Sequence, residues 1–94
     1  MVQAHLLSAA GSAGTHRDAH LLQDLLWAHA RPDHALEHIR AHAVPHGIEL
    51  VLFVRAETEA VASGRAHSLL SHAVAPIGRL GYVVGSTSDR LPEG

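Results

Sequence analysis

Cysteine, lysine and asparagine are absent from the 94-residue chain, and phenylalanine, tyrosine and tryptophan occur once each. The lack of cysteine excludes disulfides, thiolate metal ligands, cysteine nucleophiles and thiol redox switches together. Histidine is left as the soft ligand. With no lysine and 7 arginines against 9 acids, the formal net charge is −2, so the basic footprint of a nucleic-acid or anionic-membrane binder is missing. Neither partner is expected. Long apolar runs are missing too: the longest uninterrupted aliphatic and aromatic stretch is Leu50 to Val54, far short of the roughly 20 residues a membrane-spanning helix needs. Residues Met1 to Leu7 carry no basic flank of a secretion signal. A cytoplasmic location is expected.

What the chain does have is apolar residues at 47% and charged ones at 17%, enough for a packed core and too little charge for intrinsic disorder. The length allows one domain. It is expected over residues 1–86, with 87–94 as a flexible polar tail. Ten histidines accompany an excess of alanine, glycine and arginine, a bias that a GC-rich coding sequence produces without any selection for a site.

Val2, Ala4 and Leu6 alternate with Gln3, His5 and Leu7 before the breaker Gly11-Ser12-Ala13-Gly14, which reads as a first strand. Thr15 and Asp18 resemble a capping box, and Leu22, Leu25, Leu26 and His29 recur at helical spacing, predicting a helix from Thr15 to Ala30 ended by Pro32. Thr58 caps a second helix carrying Ala62, Ala66, Leu69, Leu70 and Ala73 on one face, closed by Pro76 and Gly78. Residues 79–85 predict a last strand.

The stretch before Pro45-His46-Gly47 decides the fold. Asp33 offers a cap for a helix with His34, His38 and His42 along one side, but the strand reading sorts the residues better. With a two-residue turn at His46-Gly47, Ile39 opposes Val54, Ala41 opposes Leu52 and Ala43 opposes Leu50 on one face. His38 then opposes Arg55, Arg40 opposes Phe53 and His42 opposes Val51 on the other. The resulting β-α-β-β-α-β order predicts an α+β, ferredoxin-like domain: a four-stranded antiparallel sheet with two helices on one face and the first and third strands central. The expected core face is Val2, Ala4, Leu6, Ile39, Ala41, Leu50, Leu52 and Val54, almost free of polar groups.

The opposite sheet face then carries Leu7, Val51 and Phe53, rimmed by His5, His38, Arg40, His42, Glu49 and Arg55. An apolar patch with a polar rim marks an interaction surface, and homodimerisation through it is the leading expectation, with edge-strand pairing through the second or fourth strand as another route. On the first helix, Trp27 projects about 140° from Leu22, beside His16 and His20, and so away from the leucine stripe; it is a second candidate contact. His16, His20 and Asp24 at i, i+4 and i+8 form a weak three-ligand metal pattern.

Catalytic signals are lacking: no G-x-S-x-G elbow, no phosphate loop, and Glu57 and Glu59 read as helix-start acids. No cofactor is expected. A non-catalytic accessory or regulatory homodimer is the leading expectation. The alternatives are a dimeric α/β-barrel-type enzyme or carrier for a small apolar molecule, with Ser8 the main polar lining residue, a module contacting another protein, and a histidine-mediated metal binder. Titration of the histidines would make solubility or oligomer state sensitive to pH below about 6.5.

Overall fold

The computed structural model describes residues 1–88. In chain order the elements are β1 (Val2–Ser8), α1 (His16–His29), a 3-10 turn (Pro32–His34), β2 (Leu36–Val44), β3 (Gly47–Val54), α2 (Glu59–His72), α3 (Val74–Arg79) and β4 (Tyr82–Ser88). The decisive stretch is therefore extended. Three boundaries differ from the sequence reading, one being the start of the last strand, expected at residue 79 and found at Tyr82 because Arg79 closes a helix and Leu80-Gly81 turn the chain. The second helix breaks at Ala73, whose backbone leaves helical geometry, and restarts as α3 with Pro76 inside its first turn, where a missing N–H costs nothing. Thr87 and Ser88, expected in the tail, extend β4; residues 89–94 of that expected tail lie outside the described residues.

The four strands are ordered β2-β3-β1-β4, and every neighbouring pair is antiparallel. β1 and β3 are central, and each crossover through helices passes over one intervening strand. The apolar sides of α1 (Leu22, Leu26), α2 (Ala62, Ala66, Leu69, Leu70) and α3 (Ile77) meet Val2, Ala4, Leu6, Ile39, Ile48, Leu50 and Leu52 in one core. Ala41 and Val54 lie at its margin, partly buried. Ile48, on the same side of β3 as Leu50 and Leu52, joins it too, and the hairpin register differs from the expected one. The turn residues are Pro45-His46, so Ile39 stands opposite Leu52, Ala41 opposite Leu50 and Ala43 opposite Ile48, while His38 faces Phe53, Arg40 faces Val51 and His42 faces Glu49. A shift of two residues preserves parity, which is why the division of faces survives the wrong pairing. The physical cause is Gly47. It is a strand residue paired to both Val44 and Leu7, and a Cβ there would run into the Leu6 carbonyl oxygen, so its glycine serves a close approach rather than the turn.

Thr15 caps α1 by accepting the Asp18 N–H at 3.0 Å, and Thr58 caps α2 by accepting the Val61 N–H at 3.1 Å. The Asp18 carboxylate does not return to the Thr15 backbone as a capping box would. It accepts the Tyr82 hydroxyl at 2.6 Å, tying the start of α1 to the start of β4. Burial, together with the Asp18 carboxylate as hydrogen-bond acceptor and as nearby charge, pushes the Tyr82 phenol up to about 12. Because Tyr82 is the sole tyrosine, an absorbance titration at alkaline pH should show one transition near 12 in the folded protein, and Asp18→Asn should move it down without bringing it fully to the ordinary value of 10. The phenol holds its proton more tightly in the folded state. Its stabilisation is therefore complete below pH 10 and is lost as pH rises through about 12. A transition at 10 in the folded wild type would contradict the contact.

The core is not free of polar groups. His34 is buried against α2, while Gln3 is buried on the opposite face of the sheet, and each has its partners. Nδ1 of His34 accepts the Arg31 N–H at 3.0 Å, which leaves the proton of the neutral ring on Nε2 to be donated to Ser68 Oγ at 3.2 Å. The His72 ring packs edge-on at 5.5 Å between centroids. This joint fastens the connection between α1 and β2 to the side of α2.

Candidate functional site: the open face of the sheet

The shortest dimension of the molecule is 17 Å, what one helical layer on one sheet occupies, since packed layers lie about 10 Å apart. Among the described residues nothing covers the other side of the sheet. The register places its side chains in rows. One end holds Val44, Gly47, Leu7 and Val83; the next row holds His42, Glu49, His5 and Ser86; then come Arg40, Val51 and Gln3; then His38 and Phe53. Leu7 and Val83 are 48% and 55% exposed. Val51 and Phe53 are half-buried, and His5, His38, Arg40 and His42 are exposed.

Several local features shape this surface. The His38 and Phe53 rings lie 5.6 Å apart, so an imidazole shields one side of the only phenylalanine. Gln3 sits in the central strand with long neighbours on both sides and donates its amide to Glu49, holding that carboxylate over the middle of the sheet. The β1–β4 register skips a residue between His5 and Leu6, and the extra residue is Gly85, against which the Leu7 side chain lies; a Cβ there would stand 3.0 Å from Leu7. Arg55 and Glu37 form a loose pair at 3.5 Å at the edge of the face, both largely exposed.

Of the expected contact residues, the structure thus brings Leu7, His38, Arg40, His42, Val51 and Phe53 onto one surface. Trp27 is not among them. It is 45% exposed on α1, in the helical layer behind the sheet. Val83 belongs to the open face and was not anticipated there; Gln3 was expected on that side with His5 and Leu7, but not buried. Val83 follows only once Leu7 is known to pair with it, and the burial of a glutamine on an uncovered face comes from its neighbours rather than from its own chemistry. His16, His20 and Asp24 are exposed on α1, and among the described residues no three histidine, aspartate or glutamate side chains converge to hold a metal ion.

Ser8 does not line an internal cavity; its hydroxyl meets that of Ser12 at 3.0 Å near the surface. Between helices and sheet the buried apolar side chains pack as one cluster. A 530 Å³ cleft lies at the α2 start, lined by Arg55, Ala56, Glu57, Val61 and Arg65, where Arg65 already donates to the Arg55 carbonyl. A 260 Å³ groove lies between α3 and β4, lined by Val74, Ile77, Gly78, Tyr82, Val83 and Val84. No helix among the described residues is long and apolar enough to cross a membrane. No family model, curated protein or solved structure matches the chain.

Proposed function

We propose that this chain is a small cytoplasmic, non-catalytic accessory or regulatory protein of ferredoxin-like architecture that forms a homodimer by apposing the open faces of two sheets. The architecture is supported by the central position of β1 and β3 and by two crossovers that each pass over one strand. The observation that carries the function is the exposure of Leu7 and Val83 at one end of a sheet side with no covering layer, whose other end holds the half-buried Val51 and Phe53 beyond the polar row of His42, Glu49, His5 and Ser86.

A second copy is the occupant that suits this surface best. In a two-fold interface the patch meets itself, so it must be even and must carry both charge signs. Arg40 and Arg55 lie with Glu37 and Glu49 on or beside the face, and the pleated sheet is even. Size sets the strength. Strands about 4.8 Å apart and residues rising about 3.3 Å give a footprint near 450 Å² per copy, so the pair buries roughly 1,000 Å², at the lower bound for a specific interface. The expected dimer dissociates in the micromolar range.

Phe53→Glu tests the reading. Phe53 takes no part in the core, so the variant should fold as the wild type does, while a carboxylate on central strand β3 within the apposed faces should weaken association about 100-fold. Light scattering after gel filtration, at concentrations from 5 to about 500 μM, should show wild-type dimer and variant monomer. Wild type that stays monomeric throughout, or a variant that dimerises equally well, would sink the proposal.

A further inference from the structure

Three of the ten histidines, His5, His38 and His42, stand on the open face, and the other seven lie on helices or in turns. Taking the dimer reading above as its basis, we propose that this placement makes the association acid-labile, so that protonation of His5, His38 and His42 separates the two copies. Every titratable or charged group on that face enters the balance. β1 contributes His5 and, at its start, the amino terminus; β2 contributes His38, Arg40 and His42, with Glu37 at its bulge; β3 contributes Glu49 and, just beyond it, Arg55; β4 contributes Ser86 and no titratable group among the described positions.

With neutral imidazoles the two arginines and the two glutamates offset one another. When the three imidazoles take up protons, each copy gains three positive charges, and a two-fold interface doubles them on facing surfaces. The nearest carboxylate is Glu49, in the same row as His5 and His42. It is already engaged by Gln3, and one anion cannot balance two imidazolium rings. His38 has Phe53 beside it and no acid in its row. Its charge would be taken out of water in the interface without a carboxylate to balance it. Like charges brought together at an interface cost enough to weaken binding about 100-fold or more.

Sedimentation velocity at pH 8.0 and pH 5.5 decides it, with far-ultraviolet circular dichroism at both values. The expected result is wild-type dimer at pH 8.0, folded monomer at pH 5.5, and dimer at both for the triple variant His5→Gln, His38→Gln and His42→Gln. His16→Gln with His20→Gln, on the helical layer, should leave the wild-type response unchanged. A wild type that is dimeric at both values overturns this inference while leaving the dimer intact, whereas a wild type monomeric at both overturns the dimer reading itself. Dissociation that persists in the triple variant, or that accompanies loss of helical signal, also overturns the assignment. If the triple variant fails to pair at pH 8.0, the single glutamine variants replace it, and each must flatten the pH dependence of the dissociation constant.

Discussion

Gly47→Ala should lower the unfolding free energy by about 3 kcal/mol or more, a large share of what a chain of this size possesses. The new methyl would meet the Leu6 carbonyl oxygen, and that group belongs to central strand β1, held between β3 and β4. Backbone there cannot step aside without opening two ladders. The Gly47 carbonyl in turn supports Gly14, where a Cβ would strike it, and the Gly14 N–H donates to Val44 at 2.9 Å. One methyl therefore disturbs the hairpin, the central pairing and the loop into α1. Gly64→Ala is the contrast: it lies in α2 with open space around it, and should raise stability by up to about 1 kcal/mol by removing a helix-interior glycine. Urea denaturation of both variants gives the comparison, and an unchanged midpoint for Gly47→Ala would contradict the close approach.

His34→Ala should cost about 2–4 kcal/mol, by emptying a packed volume and leaving the Arg31 N–H and the Ser68 hydroxyl without their partner. Ser68→Ala removes only one hydrogen bond and should cost about 1 kcal/mol. Hydrogen exchange gives a sharper readout than the melting midpoint. The Arg31 amide, bonded to His34 Nδ1, should be protected in the wild type and in Ser68→Ala but should exchange quickly in His34→Ala. Equal protection in all three proteins would remove this joint from the description.

Much of the fold was legible because alternation and parity are robust. Val2, Ala4 and Leu6 declare the buried side of β1 without reference to any partner, and the β2–β3 hairpin kept its faces even though its register was two residues off. Register itself was hidden, because Gly47 looks like a turn glycine until β1 is known to pass beside it. The open face was legible to the same extent: Leu7, Val51 and Phe53 follow from parity, whereas Val83 required the β1–β4 pairing, a contact between opposite ends of the chain. His34 could not be found by pattern. It lies in a 3-10 turn, where neither the helical nor the strand period applies, and it is buried by α2, over thirty residues away. Trp27 was placed correctly on the outer side of α1, but angular position on a helix does not say which surface of the molecule that side joins.

The scarcity of aromatic residues has a practical outcome. The single tryptophan sits on the outer helix, the single tyrosine at the clasp between α1 and β4, and the single phenylalanine on the open side of central strand β3. Indole emission, phenolate absorbance and a fluorinated phenylalanine ring would each report from one place with no overlapping signal. The protein thus carries its own labels for three separate places, the outer side of α1, the clasp and the open side of the sheet.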